Sequence, residues 1–119
     1  MINFPPTARI FLASSPADMR RGFDGLAALT TSVIGQDPLS GHLFVFRNRR
    51  SDRLKILYWD RDGLAIWAKR LERGVFRFPE PKGDHIEVTP AEMAAILEGI
   101  DLKLARRQRR FVMPALTPS

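Results

Sequence analysis

The hydrophobic positions of this chain change their spacing several times, and each change marks a different predicted element. An apolar run over residues 8–13 predicts a first strand. Apolar residues then recur at helical spacing, which predicts a helix from about Pro16 to Ile34. Ser15 is suited to cap that helix, and Gly35 is suited to end it.

Three further strands are predicted in the middle of the chain. They are residues 42–47, 53–59 and 64–71. Residues 48–52 form the first connecting loop, and Asp60-Arg61-Asp62-Gly63 has the composition of a tight hairpin turn. The third segment is also compatible with a helix, but the preceding turn and its alternating residues favour a strand.

The last part of the pattern predicts an edge strand followed by a helix. Residues 75–78 form a short extended piece, and residues 85–88 form the edge strand. Thr89-Pro90-Ala91-Glu92 is a capping box with proline at the first helical position. The helix should end near Gly99, with residues 100–110 as a basic helical extension. The predicted fold class is α+β, with an antiparallel sheet of about four or five strands and a helix towards each end.

Length and composition restrict the function classes. A chain of 119 residues that is 45% hydrophobic can bury one core, which we assign to residues 1–102, with a basic C-terminal tail over residues 103–119. The absence of cysteine excludes disulfides and thiol chemistry. Every apolar stretch is far shorter than the ~20 residues of a membrane helix, and no secretory signal is visible. We therefore expect a soluble, cytoplasmic protein without a membrane association or cofactor.

Positive charge is concentrated in two blocks that flank an acidic one. Ten of the nineteen Lys and Arg residues lie in residues 47–77, against four acidic residues. Residues 78–100 are acidic, and residues 101–119 are basic again. Because a positive field on rigid strands attracts a phosphate backbone, the pattern indicates a polyanionic partner.

These blocks supply the candidate nucleic-acid-binding residues. They are Arg47, Arg49, Arg50, Arg53, Lys55, Lys69, Arg70, Arg73, Arg106, Arg107, Arg109 and Arg110. The first four crowd one loop that contains a single acid, and such crowding has no structural benefit. The last four form a dense basic tail, which is equally compatible with a solvated terminus and with an arm that grips phosphates.

Two tryptophans are interleaved with the central cations. Strand alternation places Trp59 on the same face as Arg53 and Lys55, and it places Trp67 with Lys69. One sheet face that mixes cations with indoles would grip backbone and stack on exposed bases. The alternative, which we favour for the indoles, is that both pack in the core beneath arginine stems.

Catalytic chemistry has weak support in this sequence. Asp60 and Asp62 are paired carboxylates that could hold a divalent cation, but hairpin turns use Asp and Gly for backbone reasons, and Arg61 opposes a metal. His42 and His85 are far apart and lie in no motif. Phosphate-binding loops, nucleophile elbows and metal-ligand spacings are absent from the sequence. We therefore expect a protein that is not an enzyme.

Four blocks of the chain resemble a known family. They are residues 16–26 (PADMRRGFDGL), 37–50 (DPLSGHLFVFRNRR), 54–63 (LKILYWDRDG) and 69–76 (KRLERGVF). Together they resemble the TnpB (second open reading frame) accessory proteins of the insertion-sequence sixty-six family of bacterial transposons. These differ from the RNA-guided nucleases that share the TnpB label. The resemblance covers about residues 8–102.

The resemblance implies a role in transposition beside a separate, larger transposase that carries the catalytic acids. It supplies no catalytic residues for this chain. We therefore expect a non-catalytic accessory protein that binds DNA, with transposon ends as the hypothetical target. The alternative is an interaction module that docks on the cognate transposase, or on other transposon-encoded proteins, without binding DNA itself.

Overall fold

Alternating apolar residues build a five-stranded sheet with a helical segment on each face. The structure is a computed structural model, and it describes residues 6–99. The strands are β1 (Ile10–Ala13), β2 (Leu43–Arg47), β3 (Arg53–Asp60), β4 (Gly63–Arg70) and β5 (His85–Val88). The helices are α1 (Phe23–Leu29), which continues as a π-helical segment (Thr30–Ile34), and α2 (Pro90–Leu97).

The strands are ordered β4-β3-β2-β1-β5 across the sheet. This confirms the predicted α+β class and the strand count, and the strand interpretation of residues 64–71 is also confirmed. Three of the four pairings are antiparallel, whereas β1 and β2 run parallel with Ile10 opposite Leu43. The sheet is therefore mixed, because the β1–β2 connection passes through a helix rather than a hairpin.

Both faces of the sheet are covered by apolar side chains. On one face, which we call the α2 face, strand residues pack against α2 and the segment that follows β4. Its buried cluster comprises Ile10, Leu12, Leu43, Val45, Leu54, Ile56, Phe76, Val88, Met93, Ile96 and Leu97. On the opposite face, the α1 face, the cluster comprises Phe11, Ala13, Leu26, Ile34, Phe44, Phe46 and Leu57. Strand β2 is thus buried on both sides, which explains its nearly continuous apolar sequence LFVF, whereas β3 is buried on both sides only in its middle, at Ile56 and Leu57.

The first helix begins at Phe23, so the predicted start at Pro16 with a Ser15 cap is wrong. The Asp18 carboxylate accepts a hydrogen bond from the Arg20 backbone N–H at 2.9 Å, which closes a local turn. Such a turn competes with helix formation, since it uses a backbone N–H for a non-helical contact. The predicted end at Gly35 is confirmed, because Gly35 adopts a left-handed conformation with φ of 75° and donates to the Thr30 carbonyl at 2.9 Å.

The C-terminal helix has the predicted capping box. The Thr89 hydroxyl accepts from the Glu92 N–H at 3.1 Å, and the Glu92 carboxylate accepts from the Thr89 N–H at 3.0 Å. The predicted basic extension over residues 100–110 and the boundary at residue 102 lie outside the described residues. Among the described residues, no helix has the length and apolar character needed to cross a membrane.

The β3–β4 hairpin turns through a non-glycine residue in a left-handed conformation. Arg61 has φ of 58°, and the Asp62 N–H donates to the Asp60 carbonyl at 2.6 Å. A left-handed backbone brings the Cβ of an L-residue too close to the carbonyl oxygen, at a cost of roughly 1–2 kcal/mol. The turn therefore carries backbone strain at Arg61.

Replacing Arg61 with glycine should raise the free energy of unfolding by about 1 kcal/mol, because relief of strain exceeds the entropic cost of glycine. Urea denaturation of Arg61→Gly and the unmodified protein measures the change. Asp62→Gly is the matched control, since Asp62 lacks a positive φ and should gain nothing. Equal effects of the two substitutions would contradict the role assigned to strain.

Candidate nucleic-acid interface

Backbone contacts bring two separate loops together at one end of the sheet. The Leu71 N–H donates to the Asp52 carbonyl at 2.8 Å, and the Phe76 N–H donates to the Ser51 carbonyl at 2.7 Å. The loop after β4 is thereby held beside the β2–β3 loop. The side chains gathered there form what we call the cationic end of the sheet, which comprises Arg49, Arg50, Arg53, Lys69, Arg70 and Arg73.

The β2–β3 loop is organised by Asn48 rather than by its arginines. The Asn48 side chain donates to the Asp52 carboxylate at 2.6 Å and accepts from the Arg53 N–H at 3.0 Å. That donated hydrogen bond is the main cause of the lowered pKa of Asp52, with smaller contributions from Arg50 and Arg53. The loop's single acid is thus engaged by a neutral amide.

Arg49 and Arg50 occupy the tip of this loop and are exposed. Across residues 6–99 the ion pairs within 4.0 Å are Arg9–Glu87 and Arg20–Asp18, so neither tip arginine is in a close ion pair. Both guanidinium groups are therefore available to an external anion.

Arg53 and Arg70 lie directly opposite each other on β3 and β4. Like charges in this arrangement destabilise a strand pair. The two residues border an open pocket of about 300 Å³. Its lining residues are Met19, Arg53, Leu54, Lys55, Ala68, Lys69 and Arg70. An anion bound between the two guanidinium groups would relieve their repulsion through charge-assisted hydrogen bonds.

Arg47 is held inside the protein, in contrast to the predicted phosphate contact. Its guanidinium donates to the Ser14 carbonyl at 3.0 Å and to the Ser51 hydroxyl at 3.2 Å. The same group lies 5.3 Å from the centre of the Phe78 ring, a cation–π distance. Burial lowers the pKa of Arg47. Arg47 therefore ties three segments of the fold together through its two Nη atoms and its ring contact, although its Nε is buried without a hydrogen-bond partner among the described residues.

Lys55 is likewise engaged by the protein. Its Nζ donates to the Met19 carbonyl at 2.7 Å and to the Arg21 carbonyl at 2.9 Å. These carbonyls precede α1, so the ammonium group anchors the irregular segment 14–22 on the α1 face. We assign Lys55 to positioning the pocket wall, and we exclude it from the proposed phosphate contacts.

The two tryptophans lie on opposite faces of the sheet, so the single face of mixed cations and indoles does not form. Trp67 is opposite Ile56 and packs against the cluster on the α2 face, whereas Trp59 shares the α1 face with Leu57. Both indoles are partly buried. Each shares a face with one lysine, but their positions offer no continuous stacking platform.

The segment before α1 contains its own ion pair. Arg20 contacts the Asp18 carboxylate with its Nη2 at 2.8 Å, and the Asp18 pKa is lowered to about 2, chiefly by hydrogen bonds from Arg20. The resemblance block around Asp18 therefore contributes to a turn, not to a helix start.

Metal-binding side chains and the basic tail are the remaining candidate features of the sequence. Within residues 6–99, no group of three or more His, Asp or Glu side chains could hold a metal ion. Arg106, Arg107, Arg109 and Arg110 of the basic tail lie outside the described residues, so their role as phosphate contacts stays a prediction.

Sequence reasoning missed Met19 and Asn48. Met19 lines the pocket only because the predicted helix is replaced by an irregular segment, and its sequence position carries no signal of that role. Asn48 could have been identified, since Asn at a loop start readily bonds nearby backbone.

Comparisons with known proteins place this geometry in a family. Residues 8–107 match the family model described as IS66 Orf2 like protein. Protein y4jC of Sinorhizobium fredii is 41% identical over 100 residues, which cover 84% of this chain and 86% of that protein. Protein y4hO of the same organism is 41% identical over 93 residues, covering 78% and 81% respectively. No solved structure matches this chain.

Replacing Lys55 with methionine should lower the free energy of unfolding by about 2 kcal/mol, because two charge-assisted hydrogen bonds are lost. Urea denaturation measures the change. The matched control is Lys69→Met, which removes an exposed ammonium without a hydrogen bond among the described residues and should cost less than about 0.5 kcal/mol. Equal losses of unfolding free energy in the two variants would show that the Lys55 hydrogen bonds do not anchor the segment before α1.

Proposed function

The chain belongs to the family of IS66 Orf2-like proteins, transposition-associated accessory proteins, and we propose that it acts by binding the DNA backbone through its cationic end. The observation that carries this proposal is the separation of the basic residues into two groups. Arg47 and Lys55 are engaged by the protein, whereas Arg49, Arg50, Arg53 and Arg70 present guanidinium groups without a close acidic partner in the described part of the chain.

The position of these groups supports phosphate binding. Arg53 and Arg70 are mounted on paired strands, and Arg49 and Arg50 are mounted on a loop braced by Asn48. Because the backbone beneath the guanidinium groups is fixed, binding costs rotamer freedom of the side chains but little backbone conformational entropy. Arginine binds phosphate in a bidentate manner, so an open pocket between Arg53 and Arg70 suits one backbone phosphate.

The predicted binding is electrostatic and independent of base sequence. Contacts to phosphate oxygens fix the orientation of a protein on a duplex without reading bases. The partly buried tryptophans on opposite faces offer no stacking surface of the kind that single-stranded nucleic acid requires. We therefore propose duplex DNA as the ligand, bound at transposon ends and at random sequence alike.

The proposed role is non-catalytic. In this account the protein holds or orients DNA for the larger transposase that the family resemblance implies. The paired aspartates occupy the β3–β4 turn, in which the Asp62 N–H donates to the Asp60 carbonyl, and Asp is common in such turns for backbone reasons.

The combined substitutions Arg49→Ala, Arg50→Ala and Arg53→Ala should weaken duplex binding and reduce the salt dependence. Each phosphate contact contributes about 0.9 to the slope of log Kobs against log salt, so the slope should fall by about 2–3. Gel shifts or fluorescence anisotropy on a transposon-end duplex and a random duplex, across a salt series, measure both quantities.

The control variant combines Arg9→Ala, Arg61→Gly and Lys82→Ala, which removes the same formal charge away from the cationic end. Its slope should change by less than 1. An unchanged slope in the Arg49/Arg50/Arg53 variant would refute the proposal. Retention of the protein on purified transposase, with no binding to either duplex, would instead identify it as an interaction module.

A further inference from the structure

Strand β4 is an unpaired edge with a defined hydrogen-bonding pattern. It stands last in the strand order, and its register with β3 is continuous from Arg53 opposite Arg70 to Asp60 opposite Gly63. The Leu71 N–H points towards β3, where it donates to Asp52. Since hydrogen-bond direction alternates along an antiparallel strand, the backbone groups of Leu64, Ile66, Ala68 and Arg70 point away from β3.

Charged side chains lie at the two ends of this edge, and apolar side chains lie between them. The turn before it contains Asp60, Arg61 and Asp62, with a net charge of −1. The charged residues at and after its end, with a net charge of +2, are Lys69, Arg70, Glu72 and Arg73. Between them, residues 64–68 are LAIWA. Native edges are usually guarded by charges along the strand. Here the charges are confined to the two ends, and the net charges of the two ends have opposite signs.

An antiparallel copy of the same strand reverses this order and places each acidic end beside a basic end. We propose that β4 pairs with β4 of a second copy of this chain, with Ile66 on the twofold axis. In this register Leu64 lies opposite the partner's Ala68, and Asp62 lies beside the partner's Arg70.

The register follows from two conditions. The first condition is that only residues whose backbone groups point away from β3 can exchange hydrogen bonds with the partner strand. Ile66 meets this condition and can therefore pair with Ile66 of the second copy. Shifting the strands by two residues in either direction moves Asp62 away from Arg70, and Asp60 cannot replace it because Asp60 belongs to β3 and lies off the edge. Among the registers that satisfy the backbone, the one centred on Ile66 therefore gives the closest pairing of opposite charges.

The edge favours a second copy over an unrelated partner because it is complementary to itself. An isologous contact needs one surface that satisfies both copies, and a strand with an acidic end, an apolar middle and a basic end meets that condition. The other edge, β5, has only four residues and is less suited to an extended pairing.

Dimerisation would place two cationic ends on one face of a single continuous sheet. The twofold axis of an antiparallel pair is perpendicular to the sheet, so both Arg53–Arg70 pairs lie on the same face of one continuous sheet. Each Arg70 is four residues from Ile66, which separates the two pairs by about 26 Å along the strands. Because a guanidinium group has five N–H donors, Arg70 can contact the partner's Asp62 and a phosphate together, so two such pairs could contact one duplex.

Cysteine cross-linking tests this register directly, because the natural sequence contains no cysteine. In Ile66→Cys the two thiols face each other across the axis, with Cα atoms about 5.5 Å apart, which a disulfide can span. Mild oxidation of the purified protein without DNA should convert it to a disulfide dimer. The matched control is Ala68→Cys, whose two thiols are about 13 Å apart along the strand, and which should cross-link at least tenfold more slowly. Equal cross-linking rates would overturn the proposal.

A charge exchange provides a second test that does not depend on the Ile66 variant folding. Arg70→Asp should weaken the dimer roughly tenfold, measured by sedimentation equilibrium without DNA. Adding Asp62→Arg to that variant should restore dimerisation. The dimer proposal would be overturned if the unmodified protein were monomeric at high concentration, or if the exchange failed to restore the dimer. Neither result would contradict the proposed DNA binding, because both measurements are made without DNA.

Discussion

The fold depends on a sheet that is covered by apolar side chains on both faces. Because α1 packs on one side and α2 on the other, four of the five residues of β2 are buried, and β3 buries Leu54, Ile56 and Leu57. Charged side chains on these strands can reach solvent only near the strand ends, or must find donors and acceptors inside. This constraint explains why a sequence with cations distributed along three strands folds into a protein with one cationic end.

The constraint also divides the basic residues into two kinds. Arg47 and Lys55 lie where the coverage continues, and both donate hydrogen bonds to the protein. Lys55 donates to two backbone carbonyls, and the two Nη atoms of Arg47 donate to a carbonyl and a hydroxyl. Arg53 and Arg70 lie beyond it and face each other across an open pocket. The internal cations hold the loops that shape the pocket, so the structural and the exposed residues belong to the same arrangement. Substituting Arg47 and Lys55 would impair the interface and also destabilise the fold. Substituting Arg53 and Arg70 would impair the interface alone.

The elements defined by local rules were predictable from the sequence. Thr89 and Glu92 form the expected capping box, Gly35 ends the helical region, and the Asp60–Gly63 turn closes a hairpin. The start of α1 was not predictable from helical periodicity alone, because the Asp18 carboxylate takes a backbone N–H into a local turn. The parallel pairing of β1 and β2 is a long-range consequence of the crossover, which no local pattern encodes. The location of the cationic site was predictable from the clustering of basic residues. The internal hydrogen bonds of Arg47 and Lys55 were not, because their partners lie more than thirty residues away in the sequence.

The central claim is that only the exposed cations meet the ligand. Arginine side-chain Nε–Hε signals of the isotope-labelled protein, followed while a short DNA duplex is added, test it most directly. The account predicts that the signals of Arg49, Arg50 and Arg53 shift with added duplex while the signal of Arg47 stays in place. Shifts of equal size at Arg47, or no shift at the three exposed arginines, would contradict it.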